Sequence, residues 1–387
     1  MKTYNFKYGH GSVSLSLNEA DILAELHGTE TPPISDIRSA LFASLEQPID
    51  SAPLRQRVRP GDRVALVISD MTRFWMRQDL VIPHLVDYLI DECGVQPEHL
   101  TIVVANGTHI GGDEQELRTL VTDGVYNRVR VKNHDCEAKD LAYLGTTPHE
   151  TPVWIDRTAA EADLVVCLGA ATHHVMAGFG GAIKNLAMGC APQAGKIDQH
   201  GRNVVIYPKC IGCGQCVPLC PRNALSLEKA EKGRHAVIDK ERCIGCYECV
   251  TACKQGAIGV DTPNEYSDFA ERMAEYAYGA VKGKEGRICY LNFLLNVTPQ
   301  CDCAGWSEPA IVPDLGILAS EDPVALDTAC FDLVKEAHSL IPLGEHGAHS
   351  CGYDKFSALH PNTRGWHQVE YAESIGMGSR DYELITV

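Results

Sequence analysis

Residues 210–221 read CIGCGQCVPLCP, and residues 243–253 read CIGCYECVTAC, so one cysteine pattern occurs twice, 33 residues apart. Both copies have the spacing C-x2-C-x2-C-x3-C, which is typical of bacterial ferredoxins. The short loop lets three thiolates of one copy surround one face of a cubane [4Fe–4S] cluster, while the fourth cysteine ligates the other cluster. The repeat therefore predicts a two-cluster, ferredoxin-like unit.

This crosswise arrangement assigns four ligands to each cluster. The first cluster takes Cys210, Cys213, Cys216 and Cys253, and the second takes Cys220, Cys243, Cys246 and Cys249. Structural zinc is the main alternative for clustered cysteines, but a zinc site rarely uses four cysteines this close together. We therefore expect two [4Fe–4S] clusters as cofactors.

The size and charge of the chain limit its partners. A length of 387 residues is enough for two or three domains, and a hydrophobic content of 45% supports a sizeable core. The net charge of −17 argues against nucleic acids and anionic membranes as partners. No apolar run reaches the roughly 20 residues that span a bilayer.

The remaining cysteines and the N-terminus indicate a cytoplasmic protein. Disulfide-rich secreted proteins are short, whereas this chain is long and eight of its 17 cysteines are assigned to clusters. The N-terminal sequence MKTYNFKYGHGSV lacks the apolar region of a signal peptide. We therefore expect reduced thiols and a reducing compartment.

Alternating strand and helix patterns surround the cysteine repeat. Short apolar runs predict buried strands at 64–68, 101–105, 129–131, 152–155, 164–168 and 289–295. Helical spacing predicts helices at 80–93, 114–121, 268–281 and 322–337. The expected fold is α/β, a mostly parallel doubly wound sheet with an inserted two-cluster, ferredoxin-like α+β domain. The predicted domains are 1–201, 202–260 and 261–387.

Three of the predicted strands end in polar residues. These endings are Ser69–Arg73, Asn106–His109 and Gly169–His174. In open α/β sheets, ligands bind beyond the carboxyl ends of the strands. A single histidine there is usually structural, but three such endings on one edge indicate a shared site.

A glycine-rich turn follows the third ending. Gly178, Gly180 and Gly181 precede Lys184. Glycines before a helix can expose backbone N–H groups to an anion, and a lysine adds positive charge. The alternative is a turn with no ligand; beside the histidines, the sequence favours a phosphate-bearing ligand.

The first half of the chain resembles the N-terminal domain of the nickel-pincer lactate racemases. The resemblance covers residues 1–200 and is carried by Tyr8-Gly9-His10-Gly11, Ser69-Asp70-Met71-Thr72-Arg73, Gly107-Thr108-His109, Asn133-His134-Asp135, Tyr143-Leu144-Gly145-Thr146-Thr147 and His174-Val175-Met176-Ala177-Gly178-Phe179. In that family, a pyridinium mononucleotide carrying sulfur and nickel is attached to a lysine.

The resemblance implies roles for particular residues. Lys184 matches the lysine that carries the cofactor, and His200 matches the histidine that binds nickel. His109 and His174 match the two histidines that act as acid and base on a 2-hydroxy acid, while hydride passes to the cofactor ring. Asp70 and Arg73 match polar residues near cofactor and substrate, and Arg73 is the candidate to bind the substrate carboxylate.

The second half departs from the racemase pattern. From Gly178 onward the chain resembles a ferredoxin-containing family of unknown function, on Gly180–Cys190, the cysteine repeat, Asn296–Cys303 and Asp322–Asp327. Net racemisation exchanges no electrons, so it has no evident use for two clusters. We expect Asp327 to face solvent.

Two further cysteines form a closely spaced pair. Cys301 and Cys303 would point the same way in an extended segment and could chelate a soft metal, with Cys190 as a third ligand. The alternative is a pair of reduced thiols near a loop.

Three functions are compatible with these features. The first is an enzyme that acts on a small 2-hydroxy or keto acid, with the clusters relaying electrons to a redox partner protein. The second is an electron-transfer module without its own catalysis. The third is a sensor or cluster carrier. We favour the enzyme, because an electron-transfer module would not need the residues at the strand ends.

Overall fold

The computed structural model describes most of the chain. It leaves out residues 10, 26–34, 49–50, 175, 232, 247, 262–265, 301–307 and 387. At residues 7, 200, 251, 261, 266 and 267, only the backbone is described. The described residues fall into two compact units, Met1–Asp36 and Ile37–Val387.

The N-terminal unit contains a β-hairpin. Strand β1 (Lys2–Tyr8) pairs antiparallel with β2 (Gly11–Leu17), and a short 3₁₀ turn follows at Glu19–Asp21. The side chains alternate along both strands, so that the apolar ones share one face of the hairpin. This hairpin was not predicted from the sequence.

The second unit is built on a six-stranded sheet in the order β14-β13-β8-β3-β4-β5. Its strands are β3 (Val64–Ile68), β4 (Leu100–Val104), β5 (Arg130–Asn133), β8 (Leu164–Ala170), β13 (Ile288–Leu294) and β14 (Gly316–Ser320). Five strands run parallel, and β14 joins the edge antiparallel to β13. The prediction of a mostly parallel sheet is therefore confirmed.

Helices cover both faces of this sheet. The α-helices are α1 (Ile37–Glu46), α2 (Leu54–Arg57), α3 (Ile82–Asp87), α4 (Glu114–Val121), α5 (Asp123–Arg128), α6 (Arg157–Glu161), α7 (Gln193–His200), α8 (Glu248–Ala252), α9 (Tyr266–Val281), α10 (Pro323–Glu336), α11 (Lys355–Leu359) and α12 (Gly365–Ser374). Within the described ranges, no helix is long and apolar enough to cross a bilayer.

The alternation of side chains along β3 shows why both faces are covered. Val64, Leu66 and Ile68 pack into a core with α1, α3, α4 and α5. Ala65 and Val67 enter a second core with α9, α10 and α12. Every residue of β3 is buried, as expected for a strand between two layers of helices.

Several boundaries differ from the prediction. The helix predicted at 80–93 is interrupted: a 3₁₀ turn at Gln78–Leu80 precedes α3, and a π-helical turn follows at Tyr88–Glu92. The strand β7 (Pro152–Ile155) lies outside the main sheet, because it pairs with β6 (Ala142–Thr146) in a separate hairpin. The C-terminal region, where no element was predicted beyond residue 337, contributes α11 and α12.

The cysteine-rich segment is enclosed by two strand pairs. Strand β9 (Arg202–Val205) pairs antiparallel with β12 (Ile258–Asp261), and β10 (Leu225–Lys229) pairs with β11 (Arg234–Ile238). Because Arg202 lies opposite Asp261, the chain enters and leaves the segment at neighbouring positions. The segment has its own small core, formed by apolar residues and cysteines. The domain limits at 201 and 260 stay predictions.

Candidate active site and metal centres

The three polar strand endings share one edge of the sheet. Strands β8, β3 and β4 are neighbours and run parallel, so their carboxyl ends lie side by side. The segment after the third ending is anchored to the other two. Asn185 donates to the hydroxyl of Ser69 over 3.1 Å, and the Gly107 N–H donates to the Gly189 carbonyl over 2.9 Å.

Asp70, Arg73 and His109 form one hydrogen-bonded group at this edge. The Oδ2 atom of Asp70 lies 2.6 Å from Nδ1 of His109, and the other carboxylate oxygen lies 3.3 Å from Nη1 of Arg73. Nη1 of Arg73 also donates to the hydroxyl of Thr72 over 2.6 Å. The side chain of Asp70 is 6% exposed, whereas that of His109 is 16% exposed and reaches the surface.

The electrostatics of this group favour a carboxylate paired with an imidazole N–H. Burial alone would raise the pKa of Asp70, but the Arg73 guanidinium and hydrogen bonds from His109 and Thr72 hold it well below its usual range. A carboxylate at 2.6 Å places a proton on Nδ1 of His109. Nε2 is then the atom of the neutral ring that can accept a proton, so the pair has the chemistry of a general base.

His174 lies beyond the end of β8 and is half-buried. Its Nδ1 accepts the backbone N–H of Ala177 over 3.1 Å, and its ring stacks on that of Phe269 with centroids 6.2 Å apart. Since Nδ1 acts as an acceptor, the proton of the neutral ring is on Nε2. In this state Nε2–H of His174 can donate a hydrogen bond, whereas Nε2 of His109 can accept one.

The glycine-rich turn packs closely against the protein and keeps its N–H groups internal. Gly178 donates to His174, Gly180 to Thr172 and Gly181 to Ala170, each through the backbone at 2.8–3.1 Å. This arrangement gives no support to the expected cradle of backbone N–H groups for an anion. Close approach explains the glycines instead: a Cβ on Gly178, whose φ is +74°, would lie 2.5 Å from the nitrogen of Gly365.

Asp327 corrects one expectation, because it faces the core and not solvent. It is 3% exposed, and its Oδ1 accepts the N–H of Ala182 over 2.9 Å and the amide of Asn292 over 2.7 Å. Burial raises the pKa of Asp327 to about 7, against these hydrogen bonds, which favour its carboxylate. Helix α10 thus fixes the turn that leads to Lys184.

Lys184 lies at the start of the π-helical turn Asn185–Gly189 and is half-buried. A Cβ on Gly180 would be 3.8 Å from its Cδ, so the lysine stem runs along the glycine turn. Asn185, its neighbour, contacts Ser69, which precedes Asp70. Lys184 therefore belongs to the same edge of the sheet as the Asp70–His109 pair.

The eight repeat cysteines line two separate cavities. The outer cluster cavity contains Cys210, Cys213, Cys216 and Cys253, and the inner cluster cavity contains Cys220, Cys243, Cys246 and Cys249. Each cavity takes three cysteines from one copy and one from the other, which is the grouping that the crosswise assignment expects. Cys213 is exposed at the outer cavity, whereas three of the four inner cysteines are buried.

Hydrogen bonds to sulfur support the fit of iron–sulfur clusters to these cavities. N–H groups donate to cysteine sulfurs at both cavities. Ala236 and Ala257 donate to Cys210 and Cys253 at the outer cavity, whereas Ala224 and the side chain of Asn203 donate to Cys220 and Cys249 at the inner one. Thiolates bound to iron accept such bonds, so the donor set suits a cluster.

The inner cavity meets the edge of the sheet through two contacts. The hydroxyl of Thr108, the residue before His109, donates to the carbonyl of Gly245 over 3.3 Å, and Gln193 donates to the carbonyl of Cys243 over 3.0 Å. Lys196, which is 9% exposed, donates to the same Thr108 hydroxyl over 2.5 Å. The loop that carries Cys243 and Cys246 therefore packs directly on the second strand ending.

The other predicted ligands are buried or lie outside the described residues. The side chain of His200 and all of Cys301 and Cys303 are not described, so their roles stay predictions. Cys190 is fully buried in the core, and burial raises the pKa of its thiol well above the usual value. Since a metal ligand must be a thiolate, this setting does not favour Cys190. Across the described ranges, no three His, Cys, Asp or Glu side chains converge as ligands of a single metal ion.

A fourth strand ending also carries a paired histidine, to which no role was assigned from the sequence. His134 follows β5 and is 2% exposed. Its Nδ1 lies 3.4 Å from Asp156, which also pairs with Lys132 at 2.8 Å, and its Nε2 contacts the Ala191 carbonyl at 3.0 Å. The signal that could have found Asp156 is its position as N-cap of α6, directly after β7.

Comparison with known proteins gives two adjoining matches. A family model for the lactate racemase N-terminal domain matches residues 8–209, and a 4Fe-4S dicluster domain model matches residues 209–257. The lactate racemase of Lactiplantibacillus plantarum is 27% identical over 168 residues, which are 43% of this chain and 39% of that protein. That of Thermoanaerobacterium thermosaccharolyticum is 27% identical over 149 residues, which are 38% and 34%.

The chain spans less than two fifths of the length of these two curated relatives. The solved apoprotein of the Thermoanaerobacterium thermosaccharolyticum enzyme aligns with 87% of this chain and 63% of its own, at 17% identity and a TM-score of 0.47. The family match itself covers 202 of the 387 residues, from 8 to 209. The chain therefore belongs to the lactate racemase N-terminal domain family, and in it this domain is followed by a 4Fe-4S dicluster ferredoxin domain.

Proposed function

We propose that this protein is an iron–sulfur enzyme that transfers a proton and a hydride equivalent on a small 2-hydroxy or keto acid at the Asp70–His109 edge. The observation that carries the proposal is the contact between Thr108 and Gly245. Through it, the residue next to His109, the general-base candidate, contacts the loop between Cys243 and Cys246 of the inner cluster cavity. An enzyme that couples proton transfer to one-electron carriers needs this proximity.

The chain's own residues supply the proton chemistry. Nε2 of His109 accepts the proton of the substrate hydroxyl, and the Asp70 carboxylate stabilises the resulting imidazolium over 2.6 Å. His174 lies on the third strand ending and, with its proton on Nε2, donates a hydrogen bond or a proton to the substrate. Arg73 holds the Asp70 carboxylate in its ionised form and brings a positive charge to the place where a substrate carboxylate would bind.

The electron count accounts for two clusters. Oxidation of a 2-hydroxy acid to a keto acid breaks one O–H and one C–H bond, and releases two protons and two electrons. Each [4Fe–4S] cluster carries one electron, so two clusters match one substrate. A pyridinium cofactor attached to Lys184, when bound, would supply the hydride acceptor between the substrate and the clusters. The N–H groups of the glycine turn already donate to backbone carbonyls, so other groups would have to bind the phosphate of this cofactor.

Mass and metal measurements test the cofactor half of this proposal. Protein purified without oxygen is analysed by intact mass and by elemental analysis for iron and nickel. We expect a covalent adduct that is lost in Lys184→Ala and kept in Lys209→Ala, an exposed lysine beside the cysteine repeat that serves as the matched control. A mass equal to that of the bare sequence, with iron but without nickel, would contradict a pincer cofactor.

Turnover tests the catalytic half. A panel of D- and L-2-hydroxy acids is assayed for interconversion and for reduction of a one-electron dye. His109→Ala should abolish both activities, and Asp70→Asn should lower them while the iron content stays constant. If His109→Ala retains full dye reduction, the site is not catalytic.

The second candidate is an electron-transfer module without its own catalysis. The glycine turn favours it, because its N–H groups are already satisfied within the protein. In that case His109→Ala and Lys184→Ala leave electron transfer to a partner unchanged, and no 2-hydroxy acid is converted. The turnover assay therefore separates the two functions.

A further inference from the structure

The two cluster cavities differ in what surrounds them. The outer cavity opens at the surface, where Cys213 is exposed and Lys254 lines the rim in contact with solvent. Cys243, Cys246 and Cys249 at the inner cavity are each 8% exposed or less. Hydrogen bonds to sulfur occur at both cavities, whereas the burial of their cysteines differs.

A buried lysine lies close to the cysteine loop of the inner cavity. Lys196 lies on α7 and donates to the Thr108 hydroxyl, which in turn donates to the Gly245 carbonyl between two cysteines of the inner loop. The order of donors and acceptors is consistent, because the ammonium has only donors and the hydroxyl can both accept and donate. The chain of bonds fixes the lysine charge next to this loop.

The lysine charge lies close to the inner cysteine loop. The Gly245 carbonyl at the end of this chain of bonds directly precedes Cys246, so Lys196 places a positive charge beside the loop, whereas Glu248, two residues after Cys246, places a negative one. The inner cavity is also lined by Arg222 and Glu248, which have opposite charges. Arg222 is exposed and pairs with Glu137, so its charge is largely screened by solvent and by that carboxylate.

We infer that the inner cluster is the one that exchanges electrons with the Asp70–His109 site, and that Lys196 sets its reduction potential. Reduction adds a negative charge to a cluster that four thiolates already make negative. Burial opposes that charge, and a nearby buried cation favours it. Lys196 therefore offsets the effect of burial at the cluster that lies beside the active site.

This inference depends on the proposed function only for the electron exchange with the site. The effect of Lys196 on the potential is a property of the ferredoxin unit and its contact with α7. It can be measured whether or not a substrate is ever found. If no nickel and no turnover are found, the effect of Lys196 on the potential is still open to measurement. If Lys196 has no such effect, the proposed function is not contradicted.

The test is an anaerobic redox titration followed by electron paramagnetic resonance, on protein with both clusters loaded. Asn203→Leu removes the side-chain donor to Cys249 and so identifies which of the two reduction steps belongs to the inner cluster. Lys196→Met should lower the equilibrium constant for reduction in that same step by at least tenfold, which lowers its potential by at least 59 mV for one electron. Lys196→Arg, which keeps the positive charge, should have a potential close to that of the wild type.

Lys254→Met is the matched control, since it removes the same charge from the exposed rim of the outer cavity. We expect it to move either step by less than threefold, because solvent screens the charge. The inference is overturned if Lys196→Met moves neither step, moves the step that Asn203→Leu leaves alone, or moves both as Lys254→Met does. If Lys196→Met does not fold, Thr108→Val breaks the same chain of bonds and must shift the inner step in the same direction.

Discussion

The buried carboxyl of Asp327 predicts that the protein loses stability as the pH rises from 4 to 7. Burial raises its pKa in the folded protein to about 7, whereas an unfolded aspartate titrates near 3.9. Between these values the folded state keeps a proton that the unfolded state releases, so stability falls as the pH rises and levels off above 7. Asparagine is the neutral isostere, so Asp327→Asn removes this loss.

The size of the effect follows from the shift. About three pKa units at about 1.36 kcal/mol each give a cost of about 4 kcal/mol at pH 8. If residues 37–387 unfold as one unit, the entropy of unfolding of about 2.1 cal/mol/K per residue converts this cost to about 5 °C in Tm. At pH 5 about 1.5 kcal/mol of this cost is already present, so Asp327→Asn should melt about 2 °C higher than the wild type there and about 5 °C higher at pH 8.

The assay is thermal unfolding of both proteins, side by side, from pH 5 to pH 8. Other groups that titrate in this range are common to both and cancel in the difference. Asp332→Asn is the matched control, since Asp332 lies on the same helix but is partly exposed and accepts a hydrogen bond from Tyr382. A difference between Asp327→Asn and wild type that stays constant over this range would refute the reasoning.

Three further predictions concern the turn, the clusters and the catalytic pair. Gly181→Ala should destabilise by about 2–4 kcal/mol, because φ is +71° and the new Cβ would lie 2.5 Å from Asp327. Gly376→Ala, at φ +79° in open space, should cost only about 1 kcal/mol by the same thermal assay. Elemental analysis should find about eight irons per chain, and Cys246→Ser should lower this number without the loss of bound iron at the outer cavity. Asp70→Asn should lower turnover of an accepted 2-hydroxy acid by about 10²–10⁴, and an unchanged rate would exclude His109 as the base.

The main sheet could be predicted because its strands are continuous apolar runs. Val64–Ile68 is buried on both faces, and such a run between helical patterns has few other interpretations. The hairpin of β6 and β7 could not be separated from the sheet in this way, since Pro152–Ile155 has the same local pattern whichever partner it takes. The edge strand β14 is short and only partly buried, so its periodicity is weak.

The residues at the strand endings could be predicted from the sequence, but the buried charged residues that contact them could not. Asp70 and His109 follow apolar strands in the sequence, and the topology brings them together at 2.6 Å. Lys196 and Asp327 carry no such signal, because a charged residue on a helix usually faces solvent. Their polar partners come from elements far away in the sequence, Thr108 at the second strand ending for Lys196 and the glycine turn for Asp327.

The pairing of β9 with β12 has a consequence for how this chain is assembled. The two ends of the cysteine-rich segment lie opposite each other, one strand spacing of about 5 Å apart. A segment attached in this way can be removed, or exchanged for another of the same kind, without changing the distance that the rest of the chain must bridge. Acquisition or loss of the metal-binding module would therefore leave the framework of the α/β part in place.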